Sequence, residues 1–259
     1  MLHVWTVWTA PWQGCARPFD LACLELSVRL VSRRGHACRI YTDSFGARQI
    51  EDLGLACEIL VNLDGLHAYF SPAKWAAAKI HTYGKMSEPF LHLDYDVFLE
   101  QDIPGPGDGF AITVQHLENL PHQERFYRAL AEDYYRDAGP ETGPVSRAIL
   151  SRRPWAYNCG VLAAHQDGVL PFLHRYAVAA WQAFQKMRTL HRGNCAFAEQ
   201  MLLYAMATEE GIPVRCLLPS SPGDQHRAAA GMGYLHLAAR KFLHRQETLG
   251  WVLQKLSLL

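Results

Sequence analysis

The sequence lacks an excess of charge of either sign: Lys and Arg number 25, Asp and Glu number 25, and the formal net charge is zero. Without a basic field there is no chain-wide attraction for nucleic acid, so no nucleic-acid partner is expected. The basic pairs Arg33–Arg34 and Arg152–Arg153 are isolated and read as solvated surface. Also missing is any C-x-x-C spacing, and the cysteines number seven, an odd count. Both facts argue against a zinc ribbon or a disulfide framework, and for a reducing, cytoplasmic setting. No run approaches the ~20 apolar residues of a membrane-spanning helix, so no transmembrane segment is expected and membrane contact would be peripheral, through partners. The opening M-L-H-V-W-T-V-W-T-A-P has no basic n-region and reads as a strand instead of a leader. Internal repeats, low-complexity tracts and interdomain linkers are absent as well. A single domain over residues 1–259 follows, with a nucleotide-binding half (1–100) and an acceptor-binding half (101–259).

What is present is an apolar fraction of 49%, enough for a sizeable core. His3–Ala10 alternates like a strand. A helix from Asp20, as N-cap, to about Arg34 follows, then a strand over Ala37–Thr42, a short helix over Ala47–Leu55 and a strand over Glu58–Val61. This β-α-β-α-β run predicts an α/β fold whose mixed, mostly parallel sheet carries helices on both faces and binds ligands at the carboxyl ends of its strands. Ser71-Pro72 starts a helix that runs to about Tyr83. Further on, strands are predicted over 110–115, Tyr157–Ala164 and Pro213–Leu218, with helices over His122–Ala138, from Asp167 to about Leu190, and over Asn194–Glu210. Gly139–Pro144 and Pro219–Gly233 read as loops, Tyr234–Leu237 as short and extended, and Ala238–Leu256 as an amphipathic helix.

One stretch carries unusual chemistry. Pro89–Glu100, P-F-L-H-L-D-Y-D-V-F-L-E, has the apolar density of a buried strand, yet alternation puts His92, Asp94 and Asp96 on one face. Two neighbouring carboxylates repel and resist burial, and a cation is a common remedy. Hard oxygen ligands suit Mg²⁺ or Mn²⁺, which also hold diphosphates. An exposed strand end is the plainer reading of Asp94-Tyr95-Asp96. His92 lies deeper and reads as core or as support for the acids.

Three later features bear on the same question. Asn194–Ala205 is apolar almost all round, so Glu199 requires either a partner or a function. Tyr157-Asn158-Cys159-Gly160 sets an amide and a glycine at the head of a strand, where glycine permits close approach; an ordinary turn fits equally well. His236, Arg240 and Lys241 stand at the opening of the last predicted helix and could hold an anion or a metal, or be solvated.

As an ordered set these features resemble the GT-A-fold glycosyltransferases that use a D-x-D metal motif, of the glycogenin-like and lipopolysaccharide-galactosyltransferase-like group. The chain also resembles an uncharacterised bacterial GT-A-like family through Thr9–Trp12, Leu91–Phe98, Tyr157–Gly160, Glu199–Leu202 and Tyr234–Leu237. The resemblance implies transfer of a sugar from a nucleoside-diphosphate sugar, with a UDP-sugar favoured, to an acceptor it does not identify. It implies Asp94, Asp96 and His236 as ligands of Mn²⁺ or Mg²⁺. Thr9, Ala10 and Asp43 would border the nucleotide, Lys79 would reach donor sugar or phosphate, and Asn158 and Glu199 would face the transferred sugar or the acceptor, Glu199 as base or as orienting group. Lys241 would touch the diphosphate. The group's H-x-x-G-x-x-K segment departs here: Ala239 replaces the glycine and Lys241 comes one place early, which makes Arg240 a substitute. Three other functions share parts of the pattern. A nucleotidyltransferase of related fold wants a Gly-rich, basic loop after strand one, and Pro11–Arg17 is poor in glycine. A haloacid-dehalogenase-type phosphohydrolase places its D-x-D on the first strand, whereas here it is on about the fourth. A non-catalytic nucleotide-sugar-binding protein would keep the pocket without turnover.

Overall fold

The computed structural model describes residues 1–14, 16–105, 109–138, 153–187, 193–237 and 245–259. Among these, strands β1 (Leu2–Val7), β2 (Cys38–Thr42), β3 (Glu58–Val61), β4 (Phe90–Leu93), β6 (Ile112–Glu118), β7 (Ala156–Ala164) and β8 (Val214–Cys216) form one sheet. Its order is β3-β2-β1-β4-β7-β6-β8. Strands β1 to β4 are mutually parallel, β7 is antiparallel to β4 and β6, and β8 is parallel to β6. The carboxyl ends of β1, β2, β4 and β6 therefore share an edge with the amino end of β7. A second, two-stranded sheet pairs β5 (Val97–Leu99) with β9 (Tyr234–His236).

Helices cover both faces. On one side α3 (Ala76–Tyr83), α4 (Pro121–Ala138) and α5 (Leu170–Lys186) pack with α6 (Gly193–Ala196), a π-turn (Phe197–Met201) and α7 (Leu202–Glu209) against Val4, Phe90, Val114 and Leu162. On the other, α1 (Pro18–Ser32) lies over Trp5, Leu91 and Val161. Because central strands are buried on both faces, β1 and β4 are nearly continuous apolar runs, as parallel sheets require. A third cluster joins α1 and α9 (Arg245–Ser257) to the small sheet through Phe19, Leu26, Phe98 and Val252. Among the described residues no helix is long and apolar enough to cross a membrane.

The mixed, mostly parallel α/β architecture agrees with the expectation, and several local readings change. Pro89–Glu100 is not one strand: it breaks at Asp94–Asp96, and its two halves join different sheets. The Asp94 N–H still donates to the Gly160 carbonyl at 2.9 Å, and the Val97 N–H then turns back to the Asp94 carbonyl at 2.9 Å. Asp20 is not the cap of α1. Arg17 holds that place ahead of Pro18, and Asp20 lies in the first turn with its Oδ2 2.5 Å from Arg17 Nε. The helix expected over Ala47–Leu55 is α2 (Ser44–Glu51), which starts earlier because Asp43 caps it by accepting from the Gly46 N–H at 2.8 Å. The supposed loop Pro219–Gly233 contains α8 (Pro222–Gly231). Pro at the first turn, Asp224 just behind it and the run Ala228–Ala230 favour a helix there despite the surrounding Gly and Ser. The start at Ser71-Pro72 is a 3₁₀ turn, Pro72–Lys74, before α3 begins. The helix expected to reach about Leu190 ends earlier, at Lys186, where Met187 turns extended; the predicted loop at Gly139–Pro144 and residues 238–244 of the tail lie outside the described residues.

Candidate functional site

The break in the β4–β5 strand puts Asp94 and Asp96 on a turn at the carboxyl edge of the large sheet. Pairing of β5 with β9 brings His236 opposite Val97, and the Leu237 N–H donates to the Asp96 carbonyl at 3.1 Å. One ligand atom from each of Asp94, Asp96 and His236 then lies within 4.8 Å of the others. His236 Nδ1 is 2.9 Å from Gln115 Oε1, an acceptor, so Nδ1 is the donor to Gln115 and Nε2 is the ring atom that faces Asp96 Oδ1 at 3.6 Å. A histidine oriented through its other ring nitrogen, beside two carboxylates, fits a divalent cation of the Mn²⁺ or Mg²⁺ type.

Gly160 makes this arrangement possible. A Cβ at that position would stand 2.3 Å from Gln115 Oε1 and 2.7 Å from the His236 ring. The expected close approach of a ligand is replaced here by that of two protein side chains, Gln115 and His236.

Behind the acids lies a buried charge cluster. Lys79, on α3 and 5% exposed, places Nζ 2.7 Å from Asp94 Oδ1, donates to the Cys159 carbonyl at 3.1 Å and pairs with Glu199. Burial opposes its charge, but the carboxylates of Asp94 and Glu199 outweigh burial and hold its pKa above the usual lysine range. Glu199 is 1% exposed, and burial, together with the second carboxylate of Asp94, pushes it up to about 7 although Lys79 pulls the other way. Two carboxylates around one ammonium raise Lys79, while burial, with Asp94 beside it, raises Glu199 more than Lys79 lowers it. Glu199 sits in the π-turn, whose widened ladder leaves carbonyls free; the Tyr176 hydroxyl donates to the Glu199 carbonyl at 2.6 Å. His92 lies on the α3 side of β4, where its Nε2 is 2.9 Å from Thr6 Oγ1, and burial lowers its pKa well below the usual value. It is core, supporting the strand beneath the acids.

Asn158 opens β7. Its Oδ1 accepts from the Gly160 N–H at 3.1 Å and its Nδ2 donates to Glu118 Oε1 at 2.9 Å. Glu118 also accepts from the Tyr127 hydroxyl, and His116 Nε2 stands 3.7 Å from it. At the ends of β1 and β2, Thr9 and Asp43 are bound to each other: Asp43 accepts from the Thr9 N–H and hydroxyl, both at 2.7 Å. Ala10 begins a 3₁₀ turn, Ala10–Trp12, next to them. Arg240 and Lys241 lie outside the described residues.

The structure thus brings Asp94, Asp96, His236, Lys79, Glu199 and Asn158 together, while Thr9, Ala10 and Asp43 border the neighbouring strand ends. Gln115, Glu118 and Tyr127 escaped the sequence reading. The signal for two of them is the same as for Asp94: polar Gln115 and Glu118 interrupt an apolar strand, which runs past its expected end at Gln115 to Glu118.

Similar solved structures include two glycosyltransferases. The crystal structure of mouse xyloside xylosyltransferase 1 in its apo form superposes with a TM-score of 0.45 at 12% identity, over 83% of this chain and 84% of that one. PaToxG glycosyltransferase gives 0.46 at 11% identity, over 80% and 69%. Among curated proteins none matches in sequence. The family whose pattern does match is described as a family of unknown function, DUF6734, and the match spans residues 11–255. The chain therefore belongs to the DUF6734 family.

Proposed function

We propose that this protein is a metal-dependent glycosyltransferase that moves a sugar from a nucleoside-diphosphate sugar, with a UDP-sugar favoured, to an acceptor. The observation that carries the reading is the convergence of Asp94, Asp96 and His236, held through Gln115, at the carboxyl edge of a mostly parallel sheet. That edge is where open α/β folds hold nucleotides. In this reading Asp94, Asp96 and His236 hold the divalent ion. When bound, the ion offsets the charge that develops on the diphosphate as the anomeric C–O bond breaks. Lys79, expected to reach donor sugar or phosphate, and Glu199, expected to face the sugar or the acceptor, are instead buried against each other, so that Lys79 aims Asp94 and Glu199 fixes Lys79 from behind. Asn158, oriented by Glu118 and the Gly160 N–H, presents polar groups toward the transferred sugar. Thr9, Ala10 and Asp43 border the nucleotide, with Arg240 and Lys241 as its basic contacts, in a cytoplasmic protein.

The test is calorimetry of UDP and GDP with and without Mn²⁺, followed by a screen of nucleotide-sugars for turnover. The expected result is Mn²⁺-dependent nucleotide binding that Asp96→Ala removes. No binding of either nucleotide with Mn²⁺ present would sink the reading, and binding without turnover of any sugar would leave a nucleotide-sugar-binding protein.

A further inference from the structure

We propose that a cavity under α9 binds a single-chain amphiphile with a carboxylate head, of the fatty-acid class, and that its occupancy braces the strand pair that carries His236. The inference goes beyond the transferase reading and does not depend on it. The cavity encloses about 440 Å³ between α1, the β5–β9 sheet and α9. That lies within the roughly 300–1,000 Å³ of ordinary small-molecule sites. Its walls are Leu26 and Leu30 of α1, the paired Phe98 and Leu235 of the small sheet, Trp251 of α9, and Leu258 just beyond it. It is separate from the metal set, because successive side chains of a strand point to opposite faces. Phe98 and Leu235 pack toward α1 and α9, whereas Val97 turns into the core over Trp5 and Leu91, and His236 turns toward Asp96.

The apolar lining is incompletely covered. Leu258 is 74% exposed, and Trp251, tilted against Phe98 at 5.6 Å, is only half-buried. An alkyl chain in the cavity removes that surface from water. The rim is basic: Arg33, Arg34 and Lys255 line it with a single acidic side chain, Glu100. Lys255 Nζ meets Glu100 Oε1 at 3.3 Å in an exposed pair, which holds weakly. Arg34 gives Nε to Asp102 at 2.9 Å and Nη1 to the Leu30 and Leu99 carbonyls, and its Nη2 is buried with no acceptor. The Arg33 guanidinium is exposed and makes no hydrogen bond or ion pair among the described residues. Even with Asp102 counted, three cationic side chains face two acidic ones, and Arg33 is the one left over. A carboxylate accepts two parallel hydrogen bonds from a guanidinium, which an alcohol cannot do. An apolar slot that ends at an unpaired guanidinium therefore selects a fatty carboxylate.

The small sheet is also the part of the fold with most to gain from an occupant. The Glu100 N–H bonds to the Gly233 carbonyl at 2.8 Å and the Leu237 N–H to the Asp96 carbonyl at 3.1 Å, closing its two ends. A two-stranded sheet is marginal alone and depends on what packs against it. An alkyl chain against Phe98 and Leu235 slows its opening. In the transferase reading the same pairing sets His236 beside Asp94 and Asp96.

The experiment is calorimetry on the full chain without metal. The probes are octanoate, decanoate and dodecanoate below their micelle concentrations, octanol as the neutral control, and phosphatidylglycerol vesicles as the bilayer. The expected result is one carboxylate per chain, with affinity rising about 4-fold for each added methylene. Octanol binds about 10-fold more weakly than octanoate. Leu30→Trp, which fills the cavity, abolishes binding. Arg33→Glu, at an exposed position, weakens the carboxylates about 10-fold and leaves octanol unchanged, and it decides the matter should Leu30→Trp fail to fold. Hydrogen exchange over Val97–Leu99 and Tyr234–Leu237 slows when dodecanoate is added. No saturable carboxylate binding, octanol as tight as octanoate, attachment to vesicles without binding of free carboxylates, or affinities that neither variant alters would each overturn the site. Unchanged exchange in both strands would overturn the bracing. None of these results bears on the transferase reading, which stands or falls on Mn²⁺ and nucleotide.

Discussion

Lys79 Nζ lies 2.7 Å from Asp94 Oδ1 and on its other side meets Glu199, so one buried ammonium joins a candidate metal ligand to a carboxylate inside the helical layer. The pair links the edge of the sheet to its core, and the first prediction tests that link.

Replacing Lys79 by Met keeps the volume of the stem and removes the charge. Asp94 and Glu199 are then left facing each other without a cation. Loss of one partner of a buried pair typically costs about 3–5 kcal/mol. Urea unfolding should show a destabilisation in that range, and Glu199→Gln in the same chain should restore part of it. A Lys79→Met variant as stable as the parent would mean that the cluster is solvated.

Gln115→Leu leaves the His236 Nδ1–H without its acceptor while keeping bulk beside Gly160. Partners that orient a metal-bound histidine are worth about 10- to 100-fold in metal affinity. Titration with Mn²⁺ should show a loss of that size, and Asp96→Ala or His236→Ala a larger one. Equal Mn²⁺ affinity in the parent and all three variants would remove the metal site.

Gly160→Ala places a methyl group 2.3 Å from Gln115 Oε1, closer than real contacts allow. The side chains of Gln115 and His236 must move. Overpacking of this kind costs about 1–3 kcal/mol, and the altered His236 should weaken Mn²⁺ binding as well. Thermal unfolding and Mn²⁺ titration report the two effects separately; retention of both parent values would contradict the geometry.

At the opposite edge of the sheet His3 is 4% exposed, and burial, then the neighbouring His36, lowers its pKa from 6.5 to about 4. The folded state holds His3 neutral, while the unfolded chain takes up a proton near pH 6.5. Its contribution is therefore complete above that pH and is lost as pH falls toward 4, by at most roughly 3 kcal/mol. Unfolding curves at neutral and acid pH should show a smaller acid loss for His3→Leu than for the parent. Equal losses in both chains would assign the acid sensitivity to other buried histidines.

Much of this site was legible because burial and charge conflict in the linear sequence. Asp94 and Asp96 at the end of an apolar strand, and Glu199 in an apolar helix, each demanded a partner. What stayed hidden was which partner. That Lys79 serves both Asp94 and Glu199 depends on α3 packing across β4 and β7, and no local pattern encodes that packing. The helix at Pro222–Gly231 was obscured because Gly and Ser weigh toward a loop, while the decisive signals were a single Pro and three alanines. The strand break at Asp94 followed from the same repulsion that suggested a metal, yet strand periodicity alone could not choose between a kink and a ladder. Glu118 was missed because its strand outlasted the apolar run that defined it.

The pairing of Val97 with His236 spans more than half the chain, and the large sheet does not need it. Closing so long a loop is slow compared with forming the neighbouring parallel strands. The candidate ion site is thus complete only once the far end of the chain has docked on a scaffold that carries two of its three ligands. A nascent or truncated chain that ends before Tyr234 should fold its main sheet and remain unable to retain Mn²⁺, which makes ion retention a readout of complete folding.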